Sequence, residues 1–180
     1  ITAQAAMAGM IVSTGPMTVE FNRRAGYFLK QVTLRGRGIL DGSRQTEAYM
    51  RLLPAGGKGE NIFLTTALST NMDCAVEESG PLRSVVRVSG AYVDPAGKPA
   101  NECILRFIFT AGRAEFELEH TFVWKLNPAD FVIGDYGFRL PVKGLERVTA
   151  PDTNMASFVV EAPFSILQTG TAYKHTGQFE

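Results

Sequence analysis

Apolar and polar residues alternate along this chain with a period of two over most of its length. Met17, Val19 and Phe21 alternate with Thr18, Glu20 and Asn22, the pattern of a half-buried strand. The most regular stretch is Gly80–Val142. Within it Leu82–Val93, Glu102–Thr110, Ala114–Lys125 and Val132–Val142 read as strands. They are separated by the turns Asp94–Pro99 and Ala111–Arg113 and by Asn127–Asp130, where Asn127 and Pro128 suit the cap and first position of one helical turn. Further strands are predicted over Met10–Ser13, Met17–Asn22, Tyr27–Leu34, Thr46–Leu53, Asn61–Leu68, Met72–Ser79, Leu145–Ala150, Met155–Glu161 and Ser165–Thr169. Residues 1–8 read as a lead-in, and 9–180 as a single domain. No segment of ten or more residues has helical periodicity. The expectation is an all-β chain, a large two-sheet antiparallel β-sandwich with few or no helices.

The same alternation assigns faces. Phe116, Leu118, His120, Phe122 and Trp124 share one side of their strand, and Glu115, Glu117, Glu119 and Thr121 the other. Cys103, Leu105, Phe107 and Phe109 form the apolar side of the preceding strand. Arg83, Arg87, Arg106 and Arg139 are then expected beside Glu115, Glu117 and Glu119 on one polar face. Such a face is either a solvated, charge-paired surface or a sugar-binding one, in which arginine forks take carboxylates and glutamates accept hydroxyls. His120, among apolar neighbours, is either a core residue or a general acid or base. Trp124, the single tryptophan, is either a core plug or a sugar platform.

Composition narrows the field. Eighteen basic and eighteen acidic residues give no net charge, so no global field draws the chain to nucleic acid or to an anionic membrane. No apolar run approaches the ~18 residues of a membrane span. Cys74 and Cys103 are the only cysteines. They are too few for a structural zinc site, and either two buried thiols or one disulfide suits their spacing. Gly36–Gly42 has the spacing GxGxxxG but no helix-period segment follows, so it reads as a turn and not a nucleotide loop. Serine-hydrolase, zinc-protease and calcium-loop motifs are absent, and no cofactor is expected. The chain opens on Ile1 and closes on Phe179–Glu180 without a closing element, as a piece of a larger or processed protein would.

Four segments carry a family resemblance: VSTGPMTVEFNRRAGYFLKQVTL (Val12–Leu34), ESGPLRSVVRVSGAYVDPAGK (Glu78–Lys98), ILRFIFTAGRAEFELEHTFVW (Ile104–Trp124) and FRLPV (Phe138–Val142). Glu119-His120-Thr121 is the most telling triplet, and ILQTGTAYKH (Ile166–His175) adds a tail. Their order resembles the central β-sandwich domain of the exo-rhamnogalacturonan lyase and YetA-like family. The resemblance implies a galactose-mutarotase-like supersandwich, usually accompanied by a separate helical toroid. Its enzymes cleave uronate-containing pectic chains by β-elimination, which needs carboxylate neutralisation, a base and an acid. The expected function is therefore a secreted, extracellular or periplasmic module. It would contribute glycan contacts through Arg87, Arg106, Glu117, Glu119, Arg139 and Trp124, with His120 the one catalytic candidate and no catalysis by this chain alone. The alternative is a structural subunit of an extracellular fibre or virion surface, self-associating through edge strands.

Overall fold

A computed structural model of the chain describes residues 1–6, 9–23 and 26–144, and beyond them the backbone of four short strands. The chain divides into two compact units, Ile1–Pro141 and Val142–Glu180. In the first unit the strands are β1 (Thr2–Ala6), β2 (Gly9–Ser13), β3 (Met17–Asn22), β4 (Leu29–Leu34), β5 (Arg37–Gly38) and β6 (Glu47–Pro54). They continue with β7 (Ile62–Thr65), β8 (Asp73–Ser79), β9 (Arg83–Val93), β10 (Pro99–Thr110), β11 (Phe116–Val123) and β12 (Phe131–Arg139). The second unit holds two antiparallel pairs, β13 (Arg147–Thr149) with β14 (Ser157–Val159) and β15 (Ser165–Thr169) with β16 (Ala172–Thr176). No helix occurs among the described residues. The side chain of His175 lies outside them.

Two antiparallel sheets make the sandwich. The first is a five-stranded meander, β1-β2-β3-β4-β5; the second has seven strands in the order β11-β10-β9-β7-β6-β12, with β8 also paired to β9. Alternation decides what each buries. Val12, Val19, Phe21 and Val32 point inward from the first sheet, and Met50, Leu52, Val86, Leu105, Phe107 and Phe109 from the second; all are essentially buried. The sheets meet at Phe21, whose ring lies 4.9 Å from that of Phe107 and 6.1 Å from that of Phe109, both edge to face. Such pairs add to the area they bury. At one end Gly112 N donates to Thr14 O at 2.7 Å and the Thr14 hydroxyl to Arg113 O at 2.5 Å, which ties a turn of one sheet to a turn of the other. Gly112 holds φ at 74°, a conformation that a side chain disfavours.

The structure departs from the sequence expectation at both ends of its reasoning. Thr2–Ala6, expected as a lead-in, is the edge strand of the first sheet, laddered to β2 from Thr2↔Ser13 to Ala6↔Gly9. Its sequence TAQAA carries no large apolar alternation because an edge strand of small residues contributes little to the core. The two cysteines are free and buried, so the disulfide alternative falls. Cys74 pairs with Val88 on β9, and Val88 with Leu105 on β10. Cys74 and Cys103 thus stand on strands with β9 between them, two strand spacings of ~4.8 Å apart, beyond the reach of one bridge. Burial pushes the Cys74 thiol up to about 11 and the Cys103 thiol up to about 12. Both should resist an aromatic disulfide reagent at neutral pH and react together once the chain is unfolded in urea. Labelling of either in the native protein would contradict this packing.

Gly90 shows why β9 can run through the middle of the sheet. A Cβ there would stand 2.2 Å from Met72 Sδ and 2.9 Å from Asn71 O, so only glycine lets the segment before β8 cross this closely.

Candidate functional site

Three of the residues expected to meet a glycan come together on the outer face of the second sheet. Ladder register places Arg106 of β10 directly opposite Arg87 of β9 on one side and Glu119 of β11 on the other. Two arginines side by side repel, and the sequence resolves this with a carboxylate between them. Glu77 of β8 lies two residues on from Ala75, the partner of Arg87, and shares that outer face; the register of β8 against β9 shifts only here, between Val76 and Glu78. Glu77 accepts from Arg106 Nε at 2.7 Å and from Arg106 Nη2 at 3.3 Å. The Arg106 hydrogen bond holds the Glu77 carboxyl below the usual carboxylate range.

Arg87 is paired far more loosely. Its nearest carboxylates are Glu77 at 3.7 Å and Asp73 at 3.9 Å. Its Nε is buried without a hydrogen-bond partner among the described residues, and a buried donor left unmade is costly. This row therefore contains one arginine doubly bonded to Glu77 and one paired only loosely. Glu117 lies one step along β11, opposite Ile108.

Two expected members lie elsewhere. Arg83 pairs with Glu78 inside the β8–β9 hairpin. Arg139 stands on β12, at the opposite edge of the sheet, bonded to Glu47 at 2.6 Å. Its guanidinium rests over Tyr49 at 4.8 Å and Phe63 at 5.1 Å, two rings stacked 5.7 Å apart, a cation–π arrangement. The physical reason is strand order: β12 returns to β6 and not to β11, so Arg139 cannot join Arg87 and Arg106.

On the inner face His120 lies among aromatic rings, 4.8 Å from Phe138 and 5.4 Å from Tyr136 between centroids. These contacts join side chains of β11 and β12, the two outer strands of the seven-stranded sheet, which are not laddered to one another. The buried Tyr92 hydroxyl sits 2.6 Å from His120 Nε2, with the Cys103 thiol on its other side. Burial pushes the imidazole down to about 4 and the Tyr92 hydroxyl far above its usual range. At neutral pH the tyrosine keeps its proton and the histidine stays neutral, and the hydrogen bond between them engages the ring nitrogen Nε2.

Trp124 is half-buried, just past β11. With Phe122, Pro128, Phe131, Val132 and Ile133 it lines an open cleft of about 480 Å³, and its indole N–H is buried without an acceptor among the described residues. The turn at Asn127 that shapes the cleft has the expected cap: Asn127 Oδ1 accepts from Ala129 N at 3.1 Å, and its carbonyl from Asp130 N at 3.0 Å. The cleft offers sugar hydroxyls few partners, and burying hydroxyls without partners is unfavourable. No group of His, Cys, Asp and Glu among the described residues could hold a metal ion.

Sequence reasoning missed Glu77 and Tyr92, the two side chains that organise these clusters. Tyr92 could have been found from its position next to the β9 end of the ladder. Glu77 shares the alternation of Asp73 and Ala75, but nothing in its spacing shows that β8 lies against β9 beside Arg87.

Two antiparallel sheets closed over a shared aromatic core, with long charged strands on the outer face, define a large β-sandwich domain. Residues 1–147 match the PcRGLX-like protein central beta sandwich domain, and the chain belongs to that family. This is the rhamnogalacturonan lyase-like central sandwich that its motifs resemble. No curated protein matches the chain.

Proposed function

We propose that this domain is the glycan-contacting module of a secreted or periplasmic polysaccharide-processing protein, and that it holds a uronate-bearing chain without cleaving it by itself. The observation that carries this reading is Arg87, a half-exposed guanidinium whose Nη groups stand 3.7 and 3.9 Å from their nearest carboxylates in the middle of the outer sheet face. A ligand carboxylate replacing Asp73 would give Arg87 the bidentate partner it lacks. Glu77 and Glu119, on either side of Arg106, can accept sugar hydroxyls. The inward turn of His120 onto Tyr92 supports a non-catalytic role, since β-elimination needs an accessible acid and base.

Titration with galacturonate oligomers tests the reading. Arg87→Ala should weaken binding about tenfold, the worth of one charge-assisted pair, while Trp124→Ala leaves it unchanged. No detectable binding to a broad glycan panel, or equal affinity for the Arg87→Ala protein, would overturn it. The fibre-subunit reading has less support. β8 and β12 are interrupted by bulges and β11 carries Glu117 and Glu119, devices that discourage strand addition.

A further inference from the structure

We propose that the junction of β11 and β12 is an acid-sensitive seam: protonation of His120 parts the side chains that close it and admits water to the aromatic face inside. The inference does not depend on the glycan reading.

Here the sheet closes without a ladder. β11 and β12 stand at the two ends of the seven-stranded order and share no backbone pairing. A row of rings joins them: His120 with Phe138 at 4.8 Å, His120 with Tyr136 at 5.4 Å and Phe122 with Tyr136 at 5.4 Å. These rings can part while β11 stays laddered to β10 and β12 to β6. Of the strands in this sheet, β11 and β12 alone contain no buried residue, and Tyr136 is 49 % exposed. By contrast β10 buries every second residue from Asn101 to Phe109. Segments with few buried contacts open at the lowest cost.

Two groups gain water when the seam opens. The Trp124 indole N–H is buried without an acceptor among the described residues, a costly state. Phe122 couples it to the seam, because that ring lines the Trp124 cleft and also meets Tyr136. His120 is the second group. The titratable groups that face it are Tyr92 of β9, 2.6 Å from Nε2, and Tyr136 of β12, with the Cys103 thiol of β10 behind Tyr92. Its other neighbours are apolar: Leu105 opposite it on β10, and Leu118 and Phe122 on its own strand. Phenols and thiols carry no negative charge in acid, so none of these groups offsets an imidazolium. Burial is the one cause that holds the ring down to about 4. A proton added to the closed seam thus creates a charge cut off from water, and parting the rings restores its hydration while the ladders stay intact.

The single tryptophan reports the opening. Deuterium exchange of its indole proton, corrected for the pH dependence of free indole, should be about tenfold faster at about pH 4.5 than at about pH 7, a factor reduced for the partial exposure of the imidazole. Low urea should leave that rate unchanged while it speeds exchange of the β9 and β10 amides, because a seam exposes little surface and global unfolding exposes much. His120→Gln should abolish the rise in acid. Phe138→Leu, which leaves the imidazole in place and removes one ring of the seam, should speed indole exchange already at about pH 7. An indole rate independent of pH, a rise that persists in His120→Gln, or a urea dependence as steep as that of the β9 and β10 amides would overturn the proposal. So would a wild-type indole rate in Phe138→Leu, a result that needs no change at the histidine.

Discussion

Replacing Phe107 with alanine should lower the unfolding free energy by about 3–5 kcal/mol, the usual cost of emptying a buried aromatic site. Phe107 has no exposed surface. Its ring lies 4.9 Å from that of Phe21 in the first sheet, 5.8 Å from that of Phe28 just before β4, and 5.5 Å from that of Phe116 in its own sheet. With Phe109 it joins the two layers. A domain stable by ~5–15 kcal/mol would lose about a fifth of that or more. Urea unfolding of the two proteins measures the difference, with the slope of the transition unchanged if only stability has moved. A loss below about 1 kcal/mol would mean that the sheets do not depend on this contact.

His120 should make the fold sensitive to acid. In the unfolded chain its imidazole takes up a proton near pH ~6.5; in the fold burial pushes that point down to about 4. Between these values the unfolded state holds a proton that the folded state refuses. Stability therefore falls as pH drops from ~6.5, and the loss is complete below the folded value. Its size is on the order of 2–3 kcal/mol, discounted for the partial exposure of the ring. His120→Gln keeps a hydrogen-bonding partner for the Tyr92 hydroxyl while removing the titration. Unfolding free energies at about pH 7 and about pH 4.5 should then differ less in the variant than in the wild type. Equal differences would show that His120 does not titrate inside the fold.

The strands were legible because burial imposes a period of two that residue types obey. Cys103, Leu105, Phe107 and Phe109 alternate in the sequence and all four are fully buried. Arg87 and Arg106 were correctly placed on one face for the same reason, since the ladder of β9 with β10 runs without a shift from Glu102 to Thr110. Arg139 was misplaced because a face is a local property and a neighbour is not. The return of β12 to β6, with Asp135↔Arg51 and Arg139↔Glu47, leaves no trace in the spacing of either strand. The meeting of His120 with Tyr136 and Phe138 was illegible for a similar reason, since no ladder joins β11 to β12.

The two sheets differ in how far apart in the chain their partners lie. Every ladder of the first sheet joins consecutive strands within Ile1–Gly38, so it needs only short loops to close. The second closes only when Phe131–Arg139 returns to Glu47–Pro54, a non-local pairing that is slow to form. During synthesis the meander is thus expected to assemble while the chain beyond Gly38 is still being made. Until Phe107 and Phe109 follow, Phe21 lacks the two rings that it packs against in the finished fold. In that interval the nascent domain presents a sticky apolar sheet, and its yield in a cell would depend on how quickly the next seventy or so residues reach it.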